Sequence, residues 1–304
     1  MLTRDDVVEY MLDLLEYEGR SVLGRRILDP ACGSGSFLVH AARRYRRALV
    51  TALCTQKGLP DSEAALNAHI EWRKELAQNY LEALTKLFFG TELNPFACYL
   101  AEMNLLIQGL DDLFVLQQGE DNSTIERFQI FNTNSLDLPR EVLSNSDVTG
   151  TLDTLWSPRL SDRIVDEAFP IKAKYGEYGE GFFFIVSNPP YINSSQVALQ
   201  KEYSTYPFYA QVLSGATNTY LLFLRLGMYY LGAGGRMVYI VPLTVIGDAS
   251  SASARRLLKN SPFRPTRAVR FFSGNVLFPG VDQAVTMLRV DRANGIHLLL
   301  CSSK

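Results

Sequence analysis

The chain has 304 residues, 47% apolar and 20% charged, which describes an ordinary globular protein and excludes a disordered or fibrous one. A formal charge of −2 excludes a globally basic nucleic-acid binder, so any contact with a phosphate backbone has to be a local patch. The four cysteines (Cys32, Cys54, Cys98, Cys301) are scattered without a C-x-x-C pair, which argues against a zinc site or disulfide framework and for a reducing, cytoplasmic setting. No signal peptide precedes the first helix and no apolar run is long enough to span a bilayer, so no membrane contact is expected.

Thr3-Arg4-Asp5-Asp6 ahead of Val7, Val8, Met11, Leu12, Leu14 and Leu15 predicts an N-capped amphipathic helix, ended by Gly19 and Gly24. Ile27-Leu28 begins a strand that runs into Asp29-Pro30-Ala31-Cys32-Gly33-Ser34-Gly35-Ser36-Phe37-Leu38. This strand, glycine-rich turn and helix have the layout of a nucleotide-binding first βα unit. Gly33 and Gly35 let a ligand approach the backbone, and the helix from near Ser36 offers its first N–H groups to a carboxylate. No Lys follows the glycines, which argues against a phosphate loop. Phe37 or Leu38 stands where a dinucleotide fingerprint has its third glycine, and a glycine turn with no ligand stays open.

Residues 39–88 read as mostly helical. Arg43, Arg44, Arg46 and Arg47 crowd the end of the first of these helices as a solvated charged face, with a nucleic-acid contact as the second reading. Leu66, Ile70, Ala77, Leu81 and Leu84 keep helical spacing and predict one long helix from Ser62 to Thr85, within a helical insertion of about residues 50–86. Leu87-Phe88-Phe89-Gly90 is the second strand. Glu92 just past it is either a ribose-binding carboxylate or an exposed helix-start carboxylate. Asn94 and Pro95 mark the N-cap and first position of the next helix, whose packed face is Ala97, Leu100, Ala101, Asn104 and Leu105. Phe128-Gln129-Ile130-Phe131 predicts a third strand, and Asn134 after it either meets an adenine edge or only shapes the turn. Residues 140–181 are polar and irregular.

The run Phe182-Phe183-Phe184-Ile185-Val186 predicts a buried strand, closed by Asn188-Pro189-Pro190-Tyr191. Proline fixes φ and disfavours the helical region in the residue before it, so this is a stiff, extended corner at a strand end. An amide oxygen and a peptide oxygen side by side can accept both protons of one exocyclic NH2 group, with Tyr191 as a flat neighbour. A plain strand-ending turn with a buried tyrosine is an even match on these residues alone. Residues 192–217, with Lys201, Tyr203, Tyr206, Phe208 and Tyr209, read as an active-site loop or a surface subdomain. Asn218 to Leu231 predicts a buried helix closed by Gly232-Ala233-Gly234-Gly235, and Met237 to Val241 a fifth strand ended by Pro242.

Residues 249–281 carry Arg255, Arg256, Lys259, Arg264, Arg267 and Arg270 without an acidic residue, which suits a phosphate backbone. A solvated helix face serves as well for Arg255 and Arg256. Arg255, Arg256 and Lys259, together with Lys201, are the candidate DNA contacts. Asn275 to Gly280 forms a turn before an alternating strand, Ala284 to Val290. Phe278 there is either core or a stacking platform, and residues 296–301 offer a last strand.

Taken in order, Asp29 to Leu38, Gly90-Thr91-Glu92-Leu93-Asn94-Pro95 with Leu100-Ala101 and Asn104-Leu105-Leu106, and Asn188 to Tyr191 resemble the gamma-class adenine-N6 DNA methyltransferases. Further matches are Thr3 with the first helix, Gly234-Gly235 leading into Val241-Pro242, and Val276 to Gly280. The family includes the modification subunits of type I restriction-modification systems and the fused type IIG enzymes. The resemblance implies an α/β, Rossmann-like methyltransferase fold: a mostly parallel seven-stranded sheet with an antiparallel last strand. It implies S-adenosylmethionine as cofactor.

By position, Thr3 and the turn Asp29, Pro30, Ala31, Cys32, Gly33 and Gly35, with Phe37, would hold the methionine portion. Glu92 and Leu93 would meet the ribose, and Asn134 and Ser135 the cofactor adenine. Asn188 and the Pro189 carbonyl, stiffened by Pro190, would grip the target amine, with Asn188 also near the cofactor and Tyr191 and Phe278 stacking on a flipped base. The family often has Thr-Pro where this chain has Thr3-Arg4, and Asp where it has Asn134. Residues 1–304 are read as one catalytic domain that acts on double-stranded DNA. A specificity subunit or a C-terminal target-recognition region would be its partner. The alternatives are methylation of a protein glutamine amide or an RNA amino group, or a non-catalytic DNA-binding module.

Overall fold

A computed structural model of the chain describes residues 3–118, 127–138, 181–192, 203, 206–213, 218–259, 262–278 and 282–293. The strands are β1 (Ile27–Asp29), β2 (Phe88–Glu92), β3 (Gln129–Asn132), β4 (Phe182–Ser187), β5 (Leu231–Pro242), β6 (Phe263–Phe271) and β7 (Val285–Arg292). They form a seven-stranded sheet in the order β3-β2-β1-β4-β5-β7-β6. β1 with β2 and β4 with β5 run parallel, and β7 is antiparallel to both β5 and β6. This is the sheet the resemblance implies. The chain divides into two compact units, Met1–Phe131 and Asn132–Lys304.

The first unit carries α1 (Asp5–Leu14), α2 (Ser36–Lys57), α3 (Glu63–Asn67), α4 (Ile70–Lys86) and α5 (Pro95–Gln117). α1 forms where expected but is capped differently. Arg4 is its N-cap but makes no side-chain capping bond, its guanidinium pairing instead with Asp6 at 2.6 Å, while Asp6 Oδ1 accepts from the Val7 N–H at 3.0 Å. It ends at Leu14, and Gly19 instead opens a short 3-10 turn, Gly19–Val22. The single helix expected over Ser62–Thr85 is broken in two, because His69 is extended (φ −125°, ψ 120°). Ser62 caps the first piece by accepting from the Ala64 N–H. Ala77, Val115 and Leu116, with Leu81, form the core between α4 and α5.

The arginines of α2 are the largest correction. α2 continues to Lys57, so they lie mid-helix, and two of them are ion-paired rather than solvated. Arg44, 9% exposed, binds Glu9 and, at 2.7 Å, Asp13 of α1. Arg46 joins Glu63 of α3 (2.6 Å) to Asp112 of α5 (2.5 Å) and lies over the Tyr80 ring. Burial alone would raise the Glu9 carboxyl, but hydrogen bonds from His40 and Arg44 outweigh it and hold it below the usual carboxylate range. Periodicity registers a charge and says nothing of its partner.

The second unit carries α6 (Pro207–Ala210), α7 (Thr219–Tyr230), α8 (Thr244–Gly247) and α9 (Ala252–Lys259). Every residue of α7 is buried, as its all-round apolar sequence predicts. β5 starts earlier than expected, at Leu231, so Gly232–Gly235 belong to the strand as an irregularity. Phe182 pairs with Leu231, but Phe184 already pairs with Arg236. β6 is a strand the sequence conceals. It pairs with β7 alone at the sheet edge, and Arg264, Arg267 and Arg270 are exposed on it, so no apolar alternation marks it. Residues 140–180 and the strand expected at 296–301 lie outside the described residues. Among the described residues no helix is long and apolar enough to cross a membrane.

Candidate functional site

The glycine turn of the first unit follows β1 and leads into α2. Asp29 is 1% exposed, and its Oδ1 accepts from the Ala31 N–H at 3.1 Å. Cys32 N–H donates to the Thr91 carbonyl (3.1 Å) and Gly35 N–H to the Cys32 carbonyl (2.8 Å). Gly33 and Gly35 are left-handed (φ 53° and 83°), a region that strains other residues. A Cβ at Gly33 would meet nothing within 4 Å, whereas one at Gly35 would sit 3.0 Å from Ala101 Cβ. Gly33 therefore faces open space, and Gly35 is needed for packing against α5. Asn104 of α5 donates to the Ser34 carbonyl at 2.9 Å. In the sequence Asn104 belongs to the packed face of α5, and an amide among apolar neighbours is the signal there of a buried polar partner.

Glu92 is not the exposed helix-start carboxylate of the alternative reading. Its Oε2 accepts from the Gly33 N–H (3.0 Å) and its Oε1 from the Asn94 N–H (2.9 Å), so one side chain ties the glycine turn to the start of α5. Asn94 caps α5 as expected, accepting from the Phe96 N–H. Pro30 and the side chains of Cys32 and Phe37 are buried, so the last two can serve a ligand only through their backbone. Burial also pushes the Cys32 thiol up, which keeps it a packing atom. Ala31 is half-buried, Leu93 is 70% exposed, and Thr3 lies half-buried just ahead of α1.

In the second unit, the proline corner follows β4, with Pro189 buried, Pro190 exposed and Asn188 and Tyr191 between these extremes. The Tyr191 hydroxyl lies 2.8 Å from Asn188 Oδ1 and 2.9 Å from the Ile240 carbonyl of β5. Burial pushes this hydroxyl above the ordinary phenol range, so it remains protonated. Thr219, the first residue of α7, meets the same corner. Its hydroxyl donates to the Pro190 carbonyl at 2.5 Å and accepts from the Ile192 N–H at 2.9 Å, and its own N–H donates to the Ile192 carbonyl at 3.0 Å.

Asn134 shapes its turn, the second of the two readings offered for it. Its Oδ1 accepts from the Leu136 N–H at 3.2 Å, and its NH2 donates to the Tyr203 hydroxyl at 2.7 Å. That hydroxyl donates in turn to Asp137 at 2.6 Å, and Ser135 beside them is buried. The described part of 192–217 is thus packed rather than loose: Tyr203, Phe208 and Tyr209 are buried, and Tyr209 donates to the Leu136 carbonyl. Phe278 is 2% exposed, so it is core and presents no face for stacking; this corrects the platform reading. Arg256 and Lys259 are exposed on α9, while Arg255 donates to the Val245 carbonyl, and Lys201 lies outside the described residues.

The model of the Eco57I restriction-modification methylase family matches residues 86–275, and the chain belongs to that family. No curated protein sequence matches it. Among solved structures, the modification subunit of a putative type I restriction enzyme from Vibrio vulnificus YJ016 is 23% identical. That match covers 97% of this chain and 45% of that one, with a TM-score of 0.57. The M protein of the type I restriction enzyme EcoKI is 16% identical over 97% of this chain and 45% of its own, with a TM-score of 0.55. A putative class I S-adenosylmethionine-dependent methyltransferase from Listeria monocytogenes is 13% identical over 97% of this chain and 61% of its own, with a TM-score of 0.52. At these identities the likeness is one of fold, and the chain spans less than two thirds of the length of each. The sheet is that of S-adenosylmethionine-dependent methyltransferases.

Proposed function

We propose that the chain is the catalytic domain of a DNA methyltransferase of a restriction-modification system. It would use S-adenosylmethionine, act on the exocyclic N6 of a flipped adenine, and work in the cytoplasm. The observation that carries this reading is the Asn188–Tyr191 corner, in a chain whose family is restriction-modification methylases.

The first unit supplies a fit for the cofactor. Gly33 leaves open space where any side chain would stand, and α2 begins at a residue without a side chain to cap it, so its first turn suits a carboxylate. Glu92 offers acceptors suited to a ribose diol. When bound, the cofactor supplies a methyl group on a positively charged sulfur. Asn134, turned into its own loop through Leu136, and Ser135 beside it would meet the cofactor adenine.

The corner supplies acceptors. Adenine's amino nitrogen is a poor nucleophile because its lone pair is delocalised into the ring. Two acceptors, Asn188 Oδ1 and the Pro189 carbonyl, would draw the amino protons out of plane and free that lone pair. The Tyr191 hydroxyl has one proton and two neighbouring oxygens. Turning the Asn188 amide over resolves this conflict, because the two ends of an amide have the same shape and differ only in which one donates. Its NH2 then donates to Tyr191, Tyr191 donates to Ile240, and Oδ1 faces away from the tyrosine. Positioning and charge stabilisation carry the rate, and no side chain needs to act as a strong base. Extruding the base costs a few kcal/mol, which the Tyr191 ring offsets by stacking. Arg256 and Lys259 would contact phosphates, and a specificity subunit or target-recognition region would choose the site.

Mass spectrometry of nucleosides from unmethylated duplex DNA incubated with protein and cofactor tests the reading. N6-methyladenine is the expected product. N4-methylcytosine would overturn the base assignment, and methyl label found only in RNA or protein would overturn the DNA reading.

A further inference from the structure

Two consecutive prolines give the corner its stiffness and also deprive it of backbone donors. Neither Pro189 nor Pro190 has an N–H, so the corner cannot close a turn through its own backbone at those positions. An extended bend at a strand end would then swing as a unit. Thr219 meets this need from outside. One hydroxyl gives its proton to the Pro190 carbonyl (2.5 Å) and takes one from the Ile192 N–H (2.9 Å), bracketing Tyr191, while the Thr219 backbone binds the Ile192 carbonyl (3.0 Å). The side chain stands on the first residue of α7, a helix buried along its whole length, so its base is fixed. Thr219 is itself 8% exposed, and a buried hydroxyl whose donor and acceptor sides are both used is held in one rotamer.

We propose that Thr219 is a positioning residue for methyl transfer, its hydroxyl clamping the Asn188–Ile192 backbone so that Asn188 and the Pro189 carbonyl keep the geometry an amine requires. This rests on the methyltransferase reading. The clamp touches neither reacting group. It acts through the corner, and a displacement of about 1 Å at such a site costs on the order of 10²-fold in rate.

The test compares Thr219→Val, which keeps the shape and removes the hydroxyl, with Thr219→Ser, which keeps the hydroxyl and removes the methyl. Single-turnover methyl transfer, cofactor affinity and hydrogen exchange at the Ile192 amide are measured on the full chain. Thr219→Val should lose about 10²-fold in the transfer step with cofactor affinity unchanged, and its Ile192 amide should exchange faster. Thr219→Ser should keep both the rate and the protection. A Val variant as fast as wild type, a loss confined to the DNA KM, or equal losses in the two variants would overturn the clamp. If Thr219→Val does not fold, Thr219→Ser decides, because a residue needed only for packing would lose rate with its methyl. If the wild type transfers no methyl group, the methyltransferase reading fails, and Ile192 protection in the Ser variant against its loss in the Val variant still tests the clamp.

Discussion

The glycine turn after β1 and the proline corner after β4 are both bends at the end of a buried strand, and they are held by opposite chemistry. In the first, backbone N–H groups of Ala31, Cys32, Gly33 and Gly35 each find an acceptor, two of them on the carboxylates of Asp29 and Glu92. In the second, the prolines remove the donors, and hydroxyls of Tyr191 and Thr219 close the structure on carbonyls. Beyond those internal bonds, the first bend has open space at Gly33 ahead of the first turn of α2, which suits a ligand carboxylate, while the second is built around carbonyl oxygens, which suit an amine. The difference teaches that, on the proposed function, the two bends would divide the work, one holding the cofactor and the other presenting the substrate amine.

Asn188→Ala separates the two most sharply. Removing the amide acceptor should lower methyl transfer about 10³-fold, the upper range for a lost oxyanion-type contact, while cofactor affinity by calorimetry stays near wild type. Equal losses in both would erase the division. Glu92→Gln strikes the other bend: the new NH2 must face one of two backbone N–H groups, Gly33 or Asn94. Cofactor affinity should fall about tenfold, with the rate at saturating cofactor retained.

The scaffolds behind the bends should differ in their response to acid. Arg44→Met leaves the Glu9 and Asp13 carboxylates without their shared arginine and should cost about 2 kcal/mol in urea unfolding, below the roughly 3–5 kcal/mol of a fully buried pair because both acids are partly exposed. Glu9 is held below its usual value of 4.5, so its contribution is complete above that pH and is lost as pH falls through the lower folded value. The wild-type stability curve should therefore be steeper on the acid side than that of Arg44→Met. Tyr191, kept protonated by burial, makes the corner insensitive to pH from neutral into the mildly alkaline range. The smallest expected effect is at the surface: Arg256→Ala should weaken DNA binding about two- to threefold and reduce the salt slope by about one.

Contiguous residues made both bends legible. Asp29 to Gly35 and Asn188 to Tyr191 carry their conformation in their own side chains, through glycine's positive φ and proline's fixed one, and no partner is needed to read them. The N-cap at Asn94, the buried helix at 219–230 and the strand run at 182–187 are legible for the same reason. Edge strand β6 was not, because one-sided pairing lets arginines stand exposed where alternation would otherwise show.

By itself, then, the sequence determined the order of the elements and the chemistry offered by each bend, since both are set by local sterics. Tertiary structure alone decided what holds them: Asn104 on Ser34 across 70 residues, Tyr203 on Asn134 across 69, Thr219 on Pro190 across 29, and the burial of Arg44 and Phe278. Hydrogen bonds and ion pairs require donor and acceptor to meet at about 3 Å, and no pattern along the chain encodes which distant residue the fold will bring that close.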